Sequence, residues 1–210
     1  MGKESPANRQ QMRSRIAHMA ARMIAEDGIS DYGLAKRKAA RQAGAPDSRN
    51  LPNNVEIEEA LRAYQDLYQA DEHPERLARL RGLALETMRL LEPFEPYLTG
   101  SVLSGAVGRH GDIHLQLYTD SAKDLEIFLL NRDIPFRNRE IRIWTGDATD
   151  TVPDFVLTTA DADIHLMVLA PLHRRMPLRL SADGRPLERA SIQSVQALLE
   201  GSAQPPQPAS

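Results

Sequence analysis

A short stretch of this chain gathers residue types that chemistry could use. Gly100 and Ser101 close one apolar segment, and Asp112 and His114 open the next. Asp112 and His114 are two apart, so on a strand both side chains leave the same face. Small residues fill the link between them: Ser104, Gly105, Ala106, Gly108 and Gly111. Such residues let a ligand approach backbone amides that a larger side chain would screen. The pattern of the stretch therefore offers a phosphate-sized cradle, with a polar pair beside it. The triplet Asp-Ile-His occurs twice, at 112–114 and again at 163–165.

These residues need elements to position them. Tyr97 to Ser101 and Ile113 to Tyr118 read as strands. Ser121 caps an expected helix through Asn131, with Leu125, Phe128 and Leu129 on its apolar face. Ile141 to Thr145, Phe155 to Thr159 and Ile164 to Ala170 read as three further strands. The turn at Ala160 to Asp163 is short enough to make the last two an antiparallel hairpin. Asp183-Gly184 signals another turn, between Leu178–Leu180 and Pro186–Leu187. Ser191 to Glu200 reads as a closing helix. The ending GSAQPPQPAS, residues 201–210, has the composition of a disordered tail.

Ahead of this pattern the periodicity is helical. Residues 8 to 27 place Ile16, Met19, Ala20, Met23 and Ile24 on one face, and Gly28 supplies a stop. A second helix, Tyr32 to Ala43, carries Lys36, Arg37, Lys38 and Arg41. After a polar loop at Ala45 to Asn54, Asn53 or Asn54 caps a third helix. Asp71 to Pro74 breaks the chain, and a fourth helix runs to about Pro93. The expected fold is α+β: an N-terminal helical region of about four helices (1–94), then a small mixed β-sheet domain with flanking helices (95–200).

Composition narrows the function. The chain has 210 residues, a formal net charge of -3 and no cysteine. Disulfides, zinc–thiolate sites and cysteine nucleophiles are excluded. Lys and Arg outnumber acids over residues 1–50, and the reverse holds over 51–100. The bland account of this asymmetry is solvated helix faces. The first residues lack the apolar core of a signal peptide, and no apolar run approaches a membrane span. A soluble cytoplasmic protein with no membrane partner is the expectation.

Gly100-Ser101, then Asp112 and a ligand-type residue at 114, in a strand–helix–strand order, resembles the nucleotidyltransferase signature of the DNA polymerase beta superfamily. The resemblance covers residues 97 to 170, under half of the chain. It implies that Gly100 and Ser101 hold phosphate, with Arg109 nearby. It implies too that Asp112, His114 and Asp163 form the catalytic, metal-binding set, with Asp163 as the third carboxylate. The implied reaction is transfer of a nucleoside monophosphate from a nucleoside triphosphate to an acceptor, RNA or protein, with divalent metals clamping the attacking and leaving oxygens. Two departures matter. The second carboxylate of the signature is His114 here, and Val102, Leu103 and Ser104 stand where an arginine is usual. Magnesium prefers oxygen, so the cofactor would be magnesium or manganese, with zinc admitted by the imidazole. Either the enzyme uses one metal or a softer one, or the fold has become an inactive nucleotide- or nucleic-acid-binding module. If the strands bearing the two DIH triplets are neighbours, Asp112, His114, Asp163 and His165 could also form a two-Asp, two-His metal site.

The first helix also resembles that of tetracycline-repressor-type regulators, but the short recognition helix such proteins need is not visible. Sequence-specific DNA is therefore not the expected partner. A helical annex that packs on the sheet domain, or that binds an RNA or protein acceptor, fits the N-terminal pattern better; a scaffold whose helices pair with a partner or with a second copy of the chain is a further alternative.

Overall fold

The computed structural model describes residues 6–29, 31–45, 51–180 and 186–202. Most of the expected tail, and the Asp183-Gly184 turn, lie outside them. The chain is α+β, with helices first and a seven-stranded mixed sheet after them. It divides into two compact units, and the division differs from the expected 1–94 and 95–200. One unit is Met1–His73 with Ala106–Gly111; the other is Pro74–Gly105 with Asp112–Ser210.

The first unit holds α1 (Pro6–Glu26), α2 (Tyr32–Gln42) and α3 (Asn54–Tyr68). Ile16, Ala20 and Ile24 of α1 share a core with Ala35 and Ala39 of α2 and Ile57 and Leu61 of α3. Alanines along α2 let it pack closely. Asn53 caps α3 in a reciprocal box: its side chain accepts from the Glu56 amide at 3.0 Å, and the Glu56 carboxylate accepts from the Asn53 amide at 2.7 Å. Glu56 also receives a two-pronged bond from Arg13 on α1, at 2.6 and 2.7 Å. Asn53→Ala is expected to lower the unfolding free energy of this unit by about 1 kcal/mol, measured by urea denaturation followed by circular dichroism.

Ala106–Gly111 completes this unit rather than opening the chain to a ligand, which corrects one expectation. Ala106 and Val107 are fully buried. Tyr32 donates to the Ala106 carbonyl, and Gln65 to the Val107 carbonyl at 2.5 Å. A Cβ at Gly108 would come within 2.5 Å of the Ile24 carbonyl oxygen. Close packing on α1 accounts for that glycine.

The second unit takes α4 (Glu72–Leu90), whose residues from Pro74 onward belong to it, not to the helical unit. The break falls at Gln69–Asp71. Pro74 sits in the first turn of α4, where its missing N–H forfeits no helical bond. The strands are β1 (Tyr97–Thr99), β2 (Ile113–Tyr118), β3 (Arg137–Thr145), β4 (Ala148–Thr158), β5 (Asp163–Leu169), β6 (Leu178–Arg179) and β7 (Arg189–Ala190). Between them lie α5 (Ser101–Ser104) and α6 (Ala122–Leu130), and α7 (Ile192–Ser202) ends the described chain. Ser121 caps α6 as expected.

The sheet order is β6-β3-β4-β5-β2-β1-β7. Among the described strands only β2 and β5 pair in parallel; β4 and β5 form the expected antiparallel hairpin. β6 and β7 lie at opposite edges, while the segments expected to flank the 183–184 turn are joined by a backbone bond, the Leu187 amide donating to the Leu178 carbonyl at 2.6 Å. β4 is twice its expected length. Its first half contains Pro153 and pairs with β3 alone, leaving one side unpaired, the kind of edge position where proline is tolerated in a sheet.

Alternation along the strands separates two faces. Leu98, Ile113, Leu115, Leu117, Phe155, Ile164 and Leu166 share one face and are all buried. The opposite face is mixed. One row of register partners across it reads Arg189, Thr99, His114, His165, Val156, Arg137; the next reads Tyr97, Gln116, Met167, Asp154, Arg139. Further along, Tyr118, Ile143, Val152, Leu169 and Leu178 form an apolar cluster with Met167. No helix among the described residues is long and apolar enough to cross a membrane.

Candidate functional site

The two DIH triplets lie side by side. Because β2 and β5 run parallel in register, Ile113 meets Ile164 and His114 meets His165. The two imidazoles stack, with centroids 4.7 Å apart and planes 16° from parallel. Gly100, at the end of β1, fits against this pair. A Cβ there would sit 3.4 Å from the His114 ring, and its φ of +76° is one that side chains rarely adopt. Gly100 caps α5, a single turn of four residues. Arg81 on α4 holds that turn by donating to the carbonyls of Val102 and Leu103, at 3.1 and 3.0 Å.

His165 is the centre of a network. Its Nδ1 lies 3.0 Å from Asp154 Oδ2, and its Nε2 lies 3.7 Å from Asp112 Oδ2. Arg139 Nε donates to the same Asp154 oxygen at 2.6 Å, and Arg139 Nη2 lies 2.9 Å from His165 Nδ1. A ring nitrogen cannot donate to Asp154 and accept from Arg139 at once. Carboxylates on both sides favour the imidazolium, with Nδ1–H donating to Asp154. Burial would push the His165 pKa down, but Asp112 and Asp154 outweigh it and raise it to about 9. Burial would likewise raise Asp154, yet its bonds to His165 and Arg139 hold it below the usual carboxylate range. Burial pushes His114 down to about 4, and the adjacent His165 cation pushes the same way.

At neutral pH His165 is therefore a cation beside a neutral His114, with the Asp154 carboxylate held ionised against it. Neither histidine has a pKa near 7, where a general acid or base works best. Within this cluster, Asp154 Oδ1 is buried without a hydrogen-bond partner among the described residues.

The expected site is thus brought together in part. Gly100, Asp112 and His114 converge. Ser101 starts the α5 turn. Asp163 shares the face but is drawn to Arg137, whose Nη2 donates to Asp163 Oδ2 at 2.8 Å. Arg109 belongs to the helical unit, where Glu26 feels its charge. A site for two dications needs several anionic oxygens turned to one point. These residues do not fit that need as placed: His165 occupies the space between two carboxylates as a cation, and Asp163 is engaged by Arg137. Among the described residues no group of three His, Asp or Glu side chains is arranged to hold a metal.

Asp154 and Arg139 were not expected to act here. Asp154 follows Pro153 and reads as the end of a loop, and Arg139 lies ahead of the expected third strand. The repeated DIH triplet was the one visible signal for pairing His165 with His114. No protein-family model matches the chain, and no curated protein matches it.

Proposed function

We propose that the second unit is a nucleotidyltransferase-type domain that binds a nucleotide without catalysing its transfer. The order β1, Gly100-Ser101, α5, β2 and Asp112 supports the nucleotidyltransferase reading. One observation carries the loss of catalysis: His165, in register with His114, stands as an imidazolium between Asp112 and Asp154. Cations would have to occupy that space for a phosphoryl group to be clamped by metal. The domain would then sense or hold a nucleoside triphosphate, in the cytoplasm, for a partner or a second copy of the chain.

Calorimetric titration of the full chain with the four ribonucleoside triphosphates tests this reading. A triphosphate is expected to bind with the same Kd in EDTA as in magnesium or manganese. His165→Ala, which removes the internal cation, is expected to alter that Kd. Absence of binding by all four, or binding seen only with metal, would overturn the reading.

A further inference from the structure

A second feature of the mixed face lies beyond the histidine pair. Gln116, two residues after His114 on β2, borders a cavity of about 420 Å³ whose other walls include Arg174, Arg175, Leu178, Leu187 and Arg189. Three guanidinium groups reach it from two segments of chain. Arg189 on β7 donates to the Tyr118 hydroxyl at 2.7 Å and to the Arg174 carbonyl at 2.7 Å. Its guanidinium also lies 5.3 Å from the centre of the Tyr97 ring. Arg174 donates to the Tyr97 hydroxyl at 3.1 Å and pairs with Glu95. Two of the three heads are thus held in place before any ligand arrives. Arg175 makes no ion pair among the described residues.

Among the described residues no carboxylate lines this cavity, and the one ion pair made by the three arginines is that of Arg174 with Glu95. Counted over those residues the surplus is two positive charges, the complement of a phosphoryl dianion rather than of a single carboxylate. Guanidinium forks also match phosphate oxygens two at a time. The cavity is larger than bare phosphate requires and falls within the ~300–1,000 Å³ range of small-molecule sites. Leu178, Leu187 and Met176 supply an apolar wall. We infer that this cavity binds a phosphate monoester, the phosphoryl group held by Arg174, Arg175 and Arg189 and the organic group by the apolar wall. The inference does not need the nucleotide reading.

Isothermal titration of the full chain with phenyl phosphate, inorganic phosphate and phenylacetate tests it. Phenyl phosphate is expected to bind more tightly than either of the others. Arg175→Gln, at an exposed residue with no ion pair to lose, is expected to weaken phenyl phosphate binding about tenfold. Arg189→Gln is expected to weaken it as well, with its circular dichroism checked against the parent chain. No binding of phenyl phosphate by the parent, or an unchanged Kd in Arg175→Gln, overturns the inference. Phenyl phosphate binding without triphosphate binding would sustain the cavity and sink the nucleotide reading; the converse would do the reverse.

Discussion

Asp154→Ala lowers the stability of the sheet unit by about 2–3 kcal/mol at pH 7. Asp154 is 1% exposed and is the acceptor for both His165 and Arg139. Without it, two cationic groups face each other with 2.9 Å between Arg139 Nη2 and His165 Nδ1. Breaking a buried ion pair by removing one partner costs about 3–5 kcal/mol when the survivor must stay charged. His165 can escape part of that by losing its proton and accepting from Arg139, which brings the loss toward the lower figure. Urea denaturation followed by fluorescence reads this unit directly, because the single tryptophan is Trp144 on β3. Asp154→Asn, which keeps the shape and one acceptor oxygen, loses less. A change below about 1 kcal/mol in Asp154→Ala, the level of an exposed ion pair, would mean the network carries no structural weight.

The second expected result is a stability maximum near pH 6.5, the ordinary histidine pKa, with the two histidines acting on opposite sides. His165 has its pKa raised to about 9 in the folded chain. Between the unfolded and folded values the native state holds the extra proton. Its contribution is therefore complete below pH 6.5 and is lost as pH rises through 9. His114 has its pKa lowered to about 4. There the unfolded state holds the extra proton, so stability is lost as pH falls from 6.5 toward 4. Asp154, held low, adds a further loss in stronger acid. Each histidine limb is on the order of 2 kcal/mol, less than the full shifts convert to, since water screens a partly open site. The Trp144 transition measured from pH 4 to 9 checks this. His165→Gln flattens the alkaline limb, and His114→Gln flattens the acid one. A profile flat from pH 5 to 8.5 in the parent chain would contradict the charge assignment.

The strands that carry the histidines were legible because each is a run of apolar residues bounded by polar turns. β2 matches its expected bounds, and β5 does so within a residue. The start of β4 was not legible: ATDTVP has neither apolar alternation nor freedom from proline, and only pairing with β3 makes it a strand. That gap hid Asp154. The link after Gly105 misled for a different reason. Small residues serve close packing as readily as ligand approach, and only the position of Gly108 against Ile24 tells which. Local pattern likewise showed four helices in a row, but it could not show that α4 holds the α5 turn through Arg81. His114 stood out at once as the departure from the Asp-x-Asp pattern. What it departs toward, a second histidine one strand away, depends on sheet register, which no local spacing encodes.

The most direct test is pyrophosphate release. The full chain is supplied with each ribonucleoside triphosphate, magnesium or manganese, and candidate RNA and protein acceptors. If, as proposed, the His165 cation fills the space that metals would need, the chain releases no pyrophosphate above the level of the Asp112→Ala variant. Sustained release at enzyme-like rates, abolished by Asp112→Ala in a folded chain, would show that Asp112 holds a working metal and would contradict the account.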